Sequence, residues 1–363
     1  MTARLTYLDY NASAPMLPEA AAAMTATFAM SGNPSSVHRS GRAARAVIED
    51  AREAVAALVN VTPSQVVFTS GATEANALAL STGPVVASAV EHPSVLAWSE
   101  AEAIPVSSDG VVDLAALEHR LKEFPHAVVA LMLANNETGV LQPVEDAAGL
   151  AHACGARLHC DAVQGPGRLP VDFQALGVDT LSLSAHKFGG PKGIGALILR
   201  PGLELPAVVR GGGQERRRRA GTENLAGIAG FGAAAQAATR FLQDAPRVAA
   251  LRDALEARLA SSAPQARVFG HAAPRLANTS CVMLPGVSAE TQLMRLDLAH
   301  VQVSAGAACS SGKIAPSHVL TAMGASDADA KCAIRISLGR DTTEEDINAF
   351  FSAWLPLALT AAA

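Results

Sequence analysis

The sequence has few aromatic side chains and few charged ones, and its hydrophobic residues fall into short runs. Aromatic residues make up 4% and charged residues 17% of the 363 positions, whereas half are hydrophobic and many of these are alanine. This composition argues against disorder and favours Ala-rich helices around a modest sheet. The apolar stretch 349–363 is short and is interrupted by Pro356, so we expect no membrane-spanning segment.

A large excess of one charge is also missing. The formal net charge is −5, which gives no general attraction to nucleic acid or to an anionic membrane. Asp9 and Glu19 lie among the first apolar residues, so the beginning of the sequence does not resemble a secretory signal. Five cysteines are too few for a disulfide framework in a chain of this length. We therefore expect a reduced, cytoplasmic setting.

Short apolar runs alternate with longer amphipathic segments. Apolar residues recur at helical spacing between His38 and Asn60, and residues 66–68 then read as a buried strand. Further strands are predicted at 127–133, 157–160, 180–184 and 194–199, with helices from Glu74 and over 144–154. Strands that alternate with helices indicate an α/β fold with a mainly parallel sheet flanked by helices.

The second half of the sequence suggests a smaller unit. Long Ala-rich helical segments surround Asp244, Ala245 and Pro246, where we place a hinge. A mixed segment follows, and the capping pattern at 342–345 predicts a final helix. We expect a large domain over 13–245 and a smaller α+β domain formed by 1–12 and 246–363.

The stretch SAHKFGGPKG at 184–193 carries the most chemical information. Lys187 follows a predicted strand and lies beside a histidine and glycines, which suits an amine that forms a Schiff base with a flat ligand. A surface lysine in a Gly-rich turn is the alternative. Asp161, at the end of another predicted strand, favours the first reading, because a pyridoxal ring needs an anion beside its nitrogen. Asp161 on its own could equally cap the next helix.

Three further groups would complete such a site. Gln164 could donate a hydrogen bond to the phenolic oxygen of the ring. The turn at 70–74, with Ala72 and Thr73, precedes a helix whose first N–H groups could hold a phosphate, although Thr73 could simply be a cap. His92 could stack on the ring or move protons, although a single histidine is more often structural.

These segments together resemble the NifS/IscS group of cysteine desulfurases, within the class V aminotransferase family of fold-type I pyridoxal-phosphate enzymes. The resemblance runs nearly end to end and includes 7–11, 32–36, 135–139, 211–216, 219–224, 317–320 and 334–340. It implies pyridoxal 5'-phosphate as cofactor, L-cysteine as substrate, and a homodimer that serves an iron-sulfur scaffold or another sulfur acceptor.

The resemblance also implies individual roles. Lys187 would carry the cofactor, Asp161 would pair with the ring nitrogen, Gln164 would contact the phenolic oxygen, and His92 would stack on the ring. The phosphate would be held by Ala72, Thr73, Ser184 and His186, with Thr222 supplied by the neighbouring subunit. Asn136 and Arg335 would bind the substrate carboxylate, for which a planar guanidinium is well suited.

Cys309 separates a desulfurase from other enzymes of this fold. It lies in AGAACSSG at 305–312, a small, polar segment that suggests a mobile loop, and in the family pattern the active cysteine occupies this place. The alternatives are a selenocysteine lyase or an aminotransferase of the same fold, or a non-catalytic scaffold. Cys309 argues against an aminotransferase, and Lys187, Asp161 and Arg335 argue against a scaffold.

Two other clusters are assigned no function. His152, Cys154, His159 and Cys160 could suggest a metal site, but Cys160 and Asp161 point to opposite faces of a strand, so we expect no metal there. The arginines at 216–219 could suggest a nucleic-acid patch, but Arg216 and Arg219 belong to the family motif. We expect a solvated or inter-subunit surface there.

Overall fold

The computed structural model describes residues 4–99, 103–306 and 315–361. Its strands are β1 (Thr6–Tyr7), β2 (Val66–Thr69), β3 (Val85–Ala87), β4 (Val128–Ala130), β5 (Arg157–Asp161), β6 (Thr180–Ser184), β7 (Gly195–Leu199), β8 (Arg267–Phe269), β9 (Thr279–Met283), β10 (Val301–Gln302), β11 (Ser304–Ala305) and β12 (Ala333–Ser337).

The α-helices are α1 (Pro18–Thr27), α2 (Arg39–Leu58), α3 (Ala72–Leu80), α4 (Pro93–Leu96), α5 (Leu114–Glu123), α6 (Val144–Ala153), α7 (Phe173–Leu176), α8 (Leu225–Phe241), α9 (Ala245–Ser262), α10 (Ala289–Leu298), α11 (His318–Ala322), α12 (Asp327–Ala330) and α13 (Glu344–Ala361). Short 3₁₀ turns cover Pro63–Gln65, Ala185–Lys187, Gln214–Arg217 and Leu242–Asp244. None of the helices in the described ranges is long and apolar enough to cross a membrane.

A six-stranded sheet in the order β2-β7-β6-β5-β4-β3 forms the larger layer. Strands β3 to β6 are parallel, whereas β7 pairs antiparallel with both β6 and β2. Strands β2, β4, β5 and β6 therefore end at the same edge, which is where ligands collect in such sheets. The expected α/β fold with a mainly parallel sheet is confirmed.

Helices cover both faces of this sheet. Val66 and Phe68 of β2 face the core that contains Ile48 of α2 and Phe231 of α8, whereas Val67 faces α3. Helices α2 and α8 approach so closely that a Cβ at Gly232 would lie 2.7 Å from the Cβ of Ala51. Glycine is therefore needed at 232 to keep the two helices at this separation.

A second layer is formed mostly by residues from the later part of the chain. It contains the antiparallel sheet β11-β12-β9-β8 and the parallel pair β1-β10. Its core holds Phe350, Phe351 and Trp354 of α13, and the rings of Phe350 and Trp354 stack at 5.7 Å. Leu8 joins this core. The division at 12/13 and 245/246 stays a prediction.

Several local expectations differ from the structure. Helix α3 begins at Ala72, two residues before the expected Glu74, because Gly71 serves as its N-cap. Helix α13 continues through Pro356 to Ala361, although the sequence suggested an interruption there. The cap of this helix pairs Thr343 with Asp346, whose Oδ2 accepts from the Thr343 amide at 2.9 Å. A proline costs a helix one hydrogen bond, and the packed side chains of this helix offset that loss.

Candidate active site

A cavity of about 550 Å³ lies at the edge where β2, β4, β5 and β6 end. Of the predicted site residues, it brings together Ala72, Thr73, His92, Asn136, Asp161, Gln164, Ser184, His186, Lys187 and Arg335. The segment Ser304, Ala305 and Gly306 closes the side towards the second layer. Residues that are far apart in the sequence thus line one space.

Lys187 lies in the 3₁₀ turn that follows β6, and its side chain reaches into the cavity. Its Nζ donates a hydrogen bond to the backbone oxygen of Asn11 at 2.8 Å. Burial, and then the cationic Arg335 and Arg168, lowers the pKa of Lys187 to about 8. The neutral amine, which nucleophilic chemistry requires, is consequently roughly a tenth of the total at pH 7, far more than for an ordinary lysine.

Asp161 is the last residue of β5 and is buried at the floor of the cavity. Its Oδ2 accepts from Asn76 Nδ2 at 3.0 Å and its Oδ1 accepts from the Val163 amide at 3.1 Å. These two donors hold the carboxylate in place. A buried anion in this position can pair with a protonated ring nitrogen.

His92 caps the short helix α4 and lies beside Asp161 in the cavity. Its Nδ1 accepts from the Ser94 amide at 3.1 Å and contacts the Ser94 hydroxyl at 2.8 Å. Burial lowers the pKa of His92, against the opposing effect of the Asp161 carboxylate. A neutral ring at this position can pack against a flat ligand.

The turn before α3 has the form of an anion site. Ala72 and Thr73 start the helix, and the first amide groups of a helix have no partner within it. A Cβ at Gly195 would lie 2.7 Å from the carbonyl carbon of Gly71, so the turn rests directly on the start of β7. Ser184 and His186 line the same region, where burial followed by the neighbouring Lys187 lowers the pKa of His186 to about 4.

Arg335, on β12, reaches the cavity from the second layer. Its Nη2 forms an ion pair with Asp9 at 2.8 Å, and its Nη1 donates to the Asn136 backbone oxygen at 3.1 Å. Its buried Nε has no hydrogen-bond partner among the described residues. A guanidinium held in place with a free donor is suited to receive a carboxylate.

A family model described as "Aminotransferase class-V" matches residues 6–350. This chain belongs to the class-V aminotransferases. It is 44% identical to a cysteine desulfurase of Cereibacter sphaeroides, over 97% of this chain and 95% of that protein. It is 39% identical to the cysteine desulfurase IscS of Dictyoglomus turgidum, over 95% and 92%. The solved NifS-like protein of Rickettsia africae superposes with a TM-score of 0.91 at 34% identity, over 98% of this chain and 99% of that one.

These likenesses confirm the family indicated by the sequence motifs: within the class-V aminotransferases, the chain is a member of the cysteine desulfurase group. Enzymes of this family use pyridoxal phosphate. The cavity fits that group, because the Lys187 amine, the buried Asp161 carboxylate and the first turn of α3 line one space of about 550 Å³. The Gln164 amide nitrogen donates to Asn11 O at 3.1 Å, which uses one of its two hydrogens.

Two further predicted residues of this class-V aminotransferase remain, one outside the described residues and one in another cavity. Cys309 lies outside the described residues. Thr222 is exposed in a neighbouring cavity of about 240 Å³, which shares Ser70 and Gly193 with the central one. That Thr222 contacts the cofactor phosphate of a neighbouring subunit stays a prediction.

Several residues that hold the site have no role that was predicted from the sequence. Asp9 and Asn11 lie in a recognised motif, yet only the folded chain shows that they contact Arg335 and Lys187. Asn76 and Ser94 carried no sequence signal beyond helical position. Within the described ranges, no three potential metal ligands cluster together. His159 instead forms hydrogen bonds with Thr180 and Asn76.

Proposed function

We propose that this chain converts L-cysteine to L-alanine and transfers the sulfur to Cys309 as a persulfide. The observation that carries this proposal is the meeting of three groups in one cavity: the Lys187 amine, the Asp161 carboxylate and the Arg335 guanidinium. An amine, an anion and a carboxylate receptor are what an amino-acid enzyme with pyridoxal phosphate requires.

The cofactor would be held covalently by Lys187 and at its ring by Asp161, Gln164 and His92. Its phosphate would take the first turn of α3, with Thr73, Ser184 and His186 around it. Pyridoxal phosphate, when bound, withdraws electrons from the substrate's Cα and so makes proton removal there possible.

Lys187 has a second task as the base and acid of the reaction. With its pKa lowered to about 8, the amine can accept the substrate's Cα proton and return a proton later. Arg335 would hold the substrate carboxylate, with Asn136 beside it. These two residues would orient the substrate, so that its side-chain sulfur is offered to the approaching thiolate.

The sulfur transfer requires no reactant besides the substrate and the enzyme, because its atoms and electrons balance. The Cys309 thiolate attacks the substrate sulfur, a new S–S bond forms, and the bond between Cβ and sulfur breaks. The electron pair of the broken bond stays with the carbon skeleton, which takes up the proton that completes the methyl group of alanine. The persulfide then passes to an acceptor, for which an iron-sulfur scaffold protein is our proposal.

The assembly and location are part of the same proposal. The exposed Thr222, in a motif that serves a neighbouring site in this family, supports a homodimer. Light scattering with activity assays tests this, and a fully active monomer would exclude it. The cytoplasmic setting stays a prediction from the few cysteines.

The experiment that tests the function is Cys309→Ser. Serine has nearly the same size, but its hydroxyl is scarcely ionised near neutral pH and cannot hold a persulfide. The variant should keep its cofactor and the spectral changes on addition of L-cysteine. Alanine and sulfide production under reducing conditions should fall by orders of magnitude.

Cys332→Ser provides the matched control, because Cys332 is a half-buried thiol outside the cavity. This variant should retain parental turnover. Parental rates of alanine and sulfide release by Cys309→Ser would make the enzyme a simple lyase and defeat the proposal.

A further inference from the structure

Asn76 is a fully buried side chain between the floor of the cavity and the core beneath it. It lies in the second turn of α3, the helix whose first turn carries Thr73. We propose that Asn76 is a positioning residue whose single amide holds the Asp161 carboxylate and, through the Ser94 hydroxyl, the ring of His92. The inference rests on the proposed function for the roles of Asp161 and His92, and on hydrogen bonds for the rest.

The Asn76 amide has all of its polar atoms engaged. Its Nδ2 donates to Asp161 Oδ2 and to Ser94 Oγ, both at 3.0 Å, which uses two hydrogens. Its Oδ1 lies 2.9 Å from His159 Nε2. The reverse orientation would bring the amide oxygen against an oxygen of Asp161, so the observed orientation is the one in which Asp161 receives a donor.

The branch towards the core fixes the state of His159. The Asn76 oxygen only accepts, so His159 Nε2 must carry the hydrogen. Burial lowers the pKa of His159 to about 4, which leaves the ring neutral with Nδ1 as an acceptor. Thr180 Oγ1, at 2.9 Å, then donates to Nδ1. His159 thereby holds the amide in place without placing a second charge near Asp161.

The branch towards the cavity reaches His92 through Ser94. The Ser94 amide donates to His92 Nδ1, so a neutral His92 carries its hydrogen on Nε2. The Ser94 hydroxyl accepts from Asn76 and donates to the same Nδ1 at 2.8 Å. One amide thus connects the group that would face the ring nitrogen with the group that would stack on the ring.

The test uses the histidine ring ¹⁵N spectra of the full-length protein, recorded both with and without pyridoxal phosphate. Asn76→Ala should change the signals of His92 and His159 together. Ser94→Ala should change His92 alone, and Thr180→Val, the matched control at the far end, should change His159 alone. Asn76→Ala should also shift the pH at which the visible absorption of the bound cofactor titrates. Its kcat should fall at least about tenfold with little change in KM, because Asp161 loses a charge-assisted hydrogen bond.

Unchanged His92 signals in Asn76→Ala overturn the proposal. If Asn76→Ala does not fold, Asn76→Ser takes its place, and unchanged His92 signals in that variant overturn the proposal in the same way. The spectra without cofactor do not depend on desulfurase activity. Failure of the parent protein to bind pyridoxal phosphate would instead defeat the proposed function.

Discussion

The two walls of the central cavity are anchored in different layers of the molecule. The side of the cavity that we propose holds the cofactor, called the cofactor wall, consists of Thr73, His92, Asp161 and Lys187. It lies at the strand ends of one sheet and is supported by buried side chains such as Asn76. The substrate wall presents Arg335, which is held by Asp9, a residue 326 positions away in the sequence. Substitutions in the cofactor wall should therefore impair cofactor binding, and substitutions in the substrate wall should impair substrate binding.

The largest effect is expected at the centre of the cofactor wall. Lys187→Ala should abolish covalent cofactor binding and lower turnover at least about a thousandfold, because nucleophile and base are lost together. Mass spectrometry after borohydride reduction of the parent protein should locate the adduct on Lys187. Lys192 also lines the cavity and is the natural control. An adduct on Lys192 would overturn the assignment of this wall.

A smaller effect is expected on the substrate wall. Arg335→Lys should raise KM for L-cysteine by about 10- to 100-fold, the cost of losing a forked hydrogen bond to a charged group. Cofactor affinity, measured by fluorescence titration, should stay unchanged. Arg340→Lys, outside the cavity, should leave both quantities at parental values. Loss of cofactor from Arg335→Lys would contradict the assignment of cofactor and substrate binding to separate walls.

The walls are coupled through charge, which pH can reveal. Since Lys187 reacts as the neutral amine and its pKa is about 8, the rate of cofactor uptake by the apoprotein should rise with pH through this value. Arg335→Gln removes a neighbouring cation and should raise the pKa of Lys187, moving the profile to higher pH. Stopped-flow absorbance measures this profile. A profile that does not move would show that burial alone sets the pKa.

The smallest effect on turnover is expected behind the cofactor wall. Glu91 is fully buried, its Oε1 accepts from the Met132 amide at 2.6 Å, and burial raises its pKa to about 8. The folded state therefore binds a proton between about pH 4.5 and 8 that the unfolded state lacks, so stability should fall as pH rises through this range.

Glu91→Gln should remove this dependence and change kcat by less than about twofold, since a neutral amide resembles the protonated acid. Urea unfolding at pH 5.5 and 8 measures both proteins. Equal slopes of stability against pH would mean that Glu91 is not the titrating group.

The sequence predicted the cofactor wall better than the substrate wall, and the reason is physical. Asp161 and Lys187 each follow an apolar strand, and strand ends of a parallel sheet share one edge, so local pattern implied their proximity. The contact of Asp9 with Arg335 and that of Asn76 with His159 depend on how distant segments pack, which no local pattern encodes. Pro356 shows the same limit, because tertiary packing carries α13 through a residue that usually ends a helix.

The parallel pairing of β1 with β10 has a consequence for how the protein is made. Thr6 aligns with Val301, and Asp9 meets Arg335 after an interval of 326 residues. At roughly 5–20 residues per second of ribosomal synthesis, that interval takes some tens of seconds. The six-stranded sheet can form once Leu199 has emerged from the ribosome. The segment that contains β1 and Asp9 remains unpaired until nearly the whole chain has been synthesised. Arg335 lies near the end of the chain, so its contact with Asp9 can form only late in synthesis.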